Sequence, residues 1–552
     1  MPLLSPWLVL LAPSALVMIA ALPDRSSTNP RGARRFAGLA ITASTAALGV
    51  ALAAALALAI SGPLRSATLG WRGVGLAVAI DPLSSIMLLL VSFVGLVVIR
   101  FSRNYLDGDP GHIRFTRWLL LTLAAVLTLI VSANLAQLIA AWIATSFTLN
   151  RLLLFYGSRP AAVRAARKKF VASRIGDLCL IGAALLLYAN FATLDIAELS
   201  AAAKSAVLAG EKSAIVTAAA CLIVVTALLK SAQLPMHGWL LEVMETPTPV
   251  SAILHAGIIN AGGFLVLRLA ELLVLAAPSL QTLAIIGGVT ALFASLVMLT
   301  QTSVKVQLAY STIAQMGFML LQCGLGAFSS ALLHIVAHSL YKAHAFLASG
   351  SIMDLARASW TPSPGGKPHS ARLVFALLAV IALAFAVTAM FGLAPGNHAG
   401  RWVSGNWVSG HLVLAAILLT GLVHLLANAI DQRPNAYVLG RIAATAVVVA
   451  AIYFGLQAAM AWFTAGCLPL HRDLNGALDR VIAALVVLCF AALTVFQNRM
   501  AVGAGHPFWD AAYVHIRHGL YLNTLANRLV LRFWLRRRAA PLSSSANPIT
   551  SL

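Results

Sequence analysis

Residues 228–260 read LLKSAQLPMHGWLLEVMETPTPVSAILHAGIIN, and this stretch decides the fold. Lys230 sits near the end of an apolar span that Pro235 then breaks. A second span opens at Pro247-Thr248-Pro249 and carries His255 inside it. An ionisable side chain at bilayer depth is costly and marks a functional site by default. Backbone that leaves the helix at that depth is tolerated only inside protein or along a wet cavity, as in the interrupted helices of transporters. The stretch therefore predicts an all-α polytopic membrane protein that moves protons or another small cation.

Working outward, the chain keeps this character. Its mean hydropathy is +0.90 and only 10% of its 552 residues are charged, which excludes a soluble globular domain. About 15 apolar runs, from 5–22 to 477–497, are long enough to cross a bilayer as helices. The expected organisation is N-terminal helices over 1–117, a translocating core over 118–430, and C-terminal helices with a basic tail over 431–552. Breaks at Leu234-Pro235 and at 391–395 (FGLAP) suggest paired interrupted helices in two inverted repeats. The first apolar run lacks a basic leading segment and reads as a retained span, not a signal peptide.

A net charge of +22 raises the question of nucleic acid, but its placement points elsewhere. The basic residues gather at alternate loops, among them Arg100, Arg103, Arg114 and Arg117, then Arg151, Arg159, Arg164, Arg167, Lys168 and Lys169. The positive-inside rule makes these cytoplasmic, with the N-terminus periplasmic, the C-terminus cytoplasmic and a bacterial inner membrane as the setting. They read as topology signals, or as contacts to anionic lipid or an acidic partner face. The five cysteines form no CxxC pair, and there is no GxGxxG, P-loop or haem motif, so no cofactor and no metal is expected in this chain. Residues 511–534, AAYVHIRHGLYLNTLANRLVLRFW, alternate apolar and polar faces and predict an interfacial or partner-binding helix.

Several positions carry candidate chemistry. A lysine held away from water, such as Lys230, can exchange a proton, the alternative being an interfacial lysine that snorkels to the headgroups. His255 can relay a proton through its two ring nitrogens, or be a buried histidine satisfied by one hydrogen bond. His334, His338 and Lys342 are spaced four apart and line one helix face over about 12 Å. Lys305 opens the preceding span, and together these residues resemble a proton wire. Two histidines at that spacing also suit a metal, but no carboxylate or cysteine completes a set. Arg174 and Asp177, three apart on one helix face, either tune a neighbouring lysine or form a structural ion pair. Glu242 and Glu245, ahead of the Thr-Pro-Thr-Pro break, form a cation entrance or complement a helix N-terminus.

These residues also carry a family resemblance. KSAQLPMHGWLLEVMETPTPVSAILHAGIINAGG, SRIGD, VQLAYSTIAQMGFM and HIVAHSLYKAHAFLASGSI resemble, in order, the antiporter-like subunits of complex I, specifically chain 5 (subunit L), and the corresponding Mrp antiporter subunit. The match covers roughly residues 80–355. The resemblance implies inverted repeats with broken helices. It makes Lys230 the central lysine and His255 the link to the second half. Lys305, His334, His338 and Lys342 become a hydrated axis, with Arg174 and Asp177 as the modulating pair.

The chain departs from that family in three places. Where chain 5 has Trp-Glu in its fifth span, this sequence has Trp142-Ile143, and no acidic residue lies between Asp109 and Asp177. Residues 373–400 carry no lysine, although the second broken helix of the family does. The long lateral helix is not expected. The wording LLEVMETPTPVSAILHAGIINAGGFLVLR and the tail YVHIRHGLYLNTLANRLVLR look like the DabB family, membrane subunits of inorganic carbon pumps. That resemblance implies passage of H⁺ or Na⁺ down its gradient. It further implies a large zinc-containing DabA-like partner subunit that hydrates carbon dioxide to bicarbonate. The alternatives are a proton-pumping subunit of complex I or Mrp, and a non-conducting membrane scaffold.

Overall fold

The structure is a computed structural model that describes residues 5–23, 30–71, 74–211, 213–243, 246–350, 410–429, 436–469, 474, 476–502 and 507–533. After a short 3-10 turn the chain runs through α1 (Leu11–Ala21), α2 (Pro30–Ser61), α3 (Pro82–Tyr105), α4 (His112–Val131), α5 (Leu135–Leu153), α6 (Pro160–Phe191), α7 (Ile196–Ala209) and α8 (Ala214–Lys230). The middle of the chain forms α9 (Gly238–Glu242), α10 (Thr248–Ala256), α11 (Ala261–Arg268), α12 (Ala270–Val274), α13 (Ala277–Leu299), α14 (Val304–Gly324) and α15 (Phe328–Leu347). Then come α16 (Gly410–Ala429), α17 (Ala436–Thr464), α18 (Ala477–Val502), α19 (Pro507–Arg517) and α20 (Leu522–Phe533).

Helices dominate because a bilayer offers backbone groups no partner, so each segment must satisfy its own. Among the described residues, eight helices are long and apolar enough to cross a membrane. Others that pack among them, such as α5, α14 and α15, carry more polar side chains. The expected second break at 391–395 lies outside the described residues. Among the described residues, the paired strands lie between α2 and α3. Strand β1 (Leu64–Arg65) pairs antiparallel with β4 (Ala79–Ile80) around an inner hairpin of β2 (Leu69–Trp71) and β3 (Val74–Leu76).

Several helix starts are fixed by side chains. Asp81 and Ser84 cap α3 reciprocally, the Ser84 amide donating to Asp81 Oδ1 at 2.7 Å and the Asp81 amide to Ser84 Oγ at 2.8 Å. Asn134 accepts from the Gln137 amide at 2.8 Å and starts α5. Arg268, at the end of α11, reaches back to the Asp81 carboxylate and ties the start of α3 to the core.

Packing depends on small residues where helices cross. A Cβ on Gly287 of α13 would run into the Gly317 carbonyl of α14, and one on Gly317 into the Ala291 amide. Such seams let backbones approach where lipid gives no hydrophobic drive for association. The span expected over 247–270 is itself interrupted: α10 stops at Ala256, Gly257 leaves the helical region (φ −130°, ψ −70°), and a 3-10 turn at Ile258–Asn260 leads into α11. The sequence reading placed breaks at Pro235 and at the Thr-Pro-Thr-Pro stretch but ran the 247–270 span unbroken, and the structure adds the interruption at Gly257.

Candidate functional site

The first break positions Lys230. α8 ends at that residue because Ala232 takes a positive φ of 50° and Pro235 cannot continue the ladder. The chain then turns through 231–237 before α9. Lys230 is buried against α5, where its ammonium donates to Ser146 Oγ at 3.0 Å and lies 4.3 Å from the centre of the Trp142 ring. Trp142 and Ser146 are four apart on α5 and so share a face. A hydroxyl and an indole face the lysine where the resemblance leads one to look for a carboxylate.

A second lysine enters the same place. Lys169 of α6, only 3% exposed, donates to the Ser146 carbonyl at 2.8 Å. Between the two lysines lies a cavity of about 10 Å³, lined among others by Ser173, Trp239 and Leu254, with room for a single water. Arg174 and Asp177 form the expected pair, 2.6 Å apart, on the helix that carries Lys169. Asp177 is the buried carboxylate whose charge acts on both lysines.

The second break positions the other half. His255, fully buried on α10, stacks on Phe346 of α15 with ring centres 4.3 Å apart. Just past Gly257, Asn260 Nδ2 donates to Ser339 Oγ at 2.8 Å and joins the break to α15. His338 precedes Ser339 and faces His334 one turn away, their rings 6.2 Å apart. Lys342 is fully buried and donates to the Leu308 carbonyl at 3.1 Å. Lys305 donates to Thr248 Oγ1 at 3.4 Å, at the start of α10. Neither ring nitrogen of His255 or of His338 has a hydrogen-bond partner among the described residues. Buried polar atoms of that kind are ordinarily completed by water.

The structure thus brings Lys230, Arg174 and Asp177 together at the first break and His255, His334, His338 and Lys342 together at the second. Glu242 sits apart from both. It ends α9 and accepts from Lys168 at 2.7 Å and from Asn527 of α20 at 3.0 Å, while Lys168 also donates to Asn523 at 2.8 Å. Glu245 lies outside the described residues.

Sequence reasoning assigned Lys168 and Lys169 to a cytoplasmic basic loop; both are buried within α6 instead. The phase of the helix could have found Lys169. It lies seven residues before Gly176, whose carbonyl accepts from Thr226 of α8 at 3.0 Å, so it belongs to the face that packs inward. Ser146, Asn260 and Ser339 were also missed, since neutral polar residues in apolar runs give no signal without their partners.

Comparison with known proteins gives this geometry a family. The sequence profile described as NADH:quinone oxidoreductase/Mrp antiporter, TM, matches residues 132–427. The profile described as NADH-Ubiquinone oxidoreductase (complex I), chain 5 N-terminus, matches residues 71–116. A protein of Halothiobacillus neapolitanus named a probable inorganic carbon transporter subunit, DabB2, is 36% identical over 535 residues, which is 96% of this chain and 94% of that one. A probable inorganic carbon transporter subunit, DabB, of Hydrogenovibrio crunogenus is 48% identical over 278 residues, covering 50% of this chain and 53% of its own length. Chloroplastic NAD(P)H-quinone oxidoreductase subunit 5 of Ipomoea purpurea is 38% identical over 276 residues, 50% of this chain and 39% of its own. Among solved structures, a chain of the Mrp complex of Dietzia sp. shares the fold, with a TM-score of 0.57 and 24% identity over 98% of this chain and 58% of its own.

Proposed function

We propose that this chain, which belongs to the NADH:quinone oxidoreductase/Mrp antiporter family and to its DabB-type members, is the cation-translocating subunit of an energy-coupled inorganic carbon transporter. The observation that carries the reading is Lys230, buried at a helix break against Ser146 and Trp142. An ammonium at that depth costs stability and has to be repaid by function or by a strong partner. Here its direct contacts are a hydroxyl and a ring, and the carboxylate Asp177 is already engaged by Arg174.

In this reading Lys230 and His255 pass H⁺ or Na⁺, and His334, His338, Lys342 and Lys305 extend the path. Arg174 and Asp177 tune Lys230, and Glu242 and Glu245 flank the cytoplasmic entrance. The translocating core is residues 118–430, in a bacterial inner membrane with the N-terminus periplasmic and the C-terminus cytoplasmic. One elementary charge crossing 100 mV releases about 2.3 kcal/mol. That is enough to bias a conformational equilibrium in a large zinc-containing partner and so make hydration of carbon dioxide one-way.

The partner is tested by isolating the tagged chain from native membranes in gentle detergent, with protein identification and zinc analysis. A single large zinc-containing partner is expected. A set of redox subunits, or of antiporter subunits without zinc, would overturn the reading and return the chain to a complex I or Mrp role.

A further inference from the structure

We propose that Lys169 is a second proton-carrying residue of this path, exchanging its proton with Lys230 across Ser146. The inference rests on the proposed function, because it needs a cation path through Lys230. Two lysines from different helices converge on one residue of a third, Lys169 on the Ser146 carbonyl and Lys230 on the Ser146 hydroxyl. Both line the same small cavity. A structural lysine near a helix end normally snorkels to the headgroups. Lys169 turns inward, is almost wholly buried, and its direct hydrogen bond is to a neutral carbonyl.

The charged groups acting on Lys169 are Lys230 from α8 and Asp177 and Arg174 from its own helix. From α5 it meets Ser146, and Trp239 follows the break on α9. With one carboxylate already paired to Arg174, the site carries more positive than negative charge when both lysines are protonated. Repulsion between the two ammonium groups then favours one proton shared between two amines. The step is a proton transfer without other bond changes. Lys169–NH₃⁺ gives a proton to the neutral Lys230 amine through the single water that the cavity between them admits. Lys169 is left neutral and is reprotonated from the N-terminal part of α6, where Arg164 and Arg167 lie. Lys169 thereby supplies a titrating partner where the family resemblance leads one to look for a glutamate.

The test reconstitutes the complex, isolated with its native partner, in vesicles and follows proton flux with an internal pH dye. Lys169→Arg keeps the charge and a donor for Ser146 but does not release a proton. It is expected to lose flux about tenfold or more, as is Lys169→Met. Lys169→His is expected to retain flux, with the alkaline limb of the pH–rate profile moved to lower pH. Full flux in Lys169→Arg, or loss in Lys169→His with retention in Lys169→Arg, would show a structural lysine and overturn the inference. If Lys169→Met fails to assemble, the Arg and His pair still decides. Lys230→Met separates the two levels. An inactive Lys230→Met beside a fully active Lys169→Arg removes only the role of Lys169, whereas full flux in Lys230→Met removes the cation path itself.

Discussion

Asn260 donates a 2.8 Å hydrogen bond to the Ser339 hydroxyl and so fastens the second helix break to the helix that carries His338 and Lys342. The break exposes backbone at bilayer depth, and this bond holds it against α15 where His255 also stacks on Phe346. Asn260→Leu leaves the Ser339 hydroxyl without that donor. The expected cost is about 1–3 kcal/mol, read as a lower unfolding temperature in detergent, together with a slower cation flux. An unchanged unfolding temperature and flux would show that the bond holds nothing.

Lys168 and Glu242 form a buried pair to which the tail helix α20 adds Asn523 and Asn527. Removing one member of a buried pair strands the other, at a cost of about 3 kcal/mol or more. Glu242→Ala is expected to loosen α19 and α20, seen as faster amide hydrogen exchange over 507–533. Exchange there equal to wild type would mean that the tail is held elsewhere.

The Asp81–Arg268 pair predicts an acid limb of stability. Burial works to raise the Asp81 carboxyl, but Arg268 and the Ser84 amide outweigh it and hold the group below its ordinary value. A carboxylate whose native value lies below the unfolded one, near pH 3.9 by about a unit either way, stabilises fully above that range. The contribution is lost as pH falls through the lower native value. The unfolding temperature of wild type is therefore expected to drop below about pH 4, and Asp81→Asn to lack that part of the drop. A wild type and variant that fall in parallel would contradict it.

The seam between α13 and α14 predicts a packing effect with no change in chemistry. Gly287→Val places a branched side chain against the Gly317 carbonyl. Overpacking of this kind costs about 1–3 kcal/mol. Loss of monodisperse protein on size exclusion, with Gly288→Ala unaffected, is the expected result, since Gly288 has ordinary contact distances around it.

The sequence carried the helical membrane fold because apolar runs and basic loops report bilayer crossings directly. It carried Lys230, His255, Lys342 and the Arg174–Asp177 pair because charge within such runs is rare. It did not carry the interruption at Gly257, since a lone glycine in SAILHAGIINAGG reads as helix-compatible. Lys169 was hidden by its neighbours: in RAARKK every residue looks like a loop charge, and only the packing of α6 on α8 turns Lys169 inward. Ser146 was hidden because it is neutral, and its role appears only when two ammonium groups meet on it. The partners of Glu242 were hidden because they lie on α6 and in the distant tail.

The most direct test of the central claim is uptake of radiolabelled bicarbonate or carbon dioxide into vesicles holding the complex, driven by an imposed proton or sodium gradient. Wild type is expected to accumulate inorganic carbon only while the gradient lasts, and Lys230→Met to fall by about tenfold or more while remaining assembled. Equal accumulation by Lys230→Met, or accumulation by wild type without any gradient, would contradict the account.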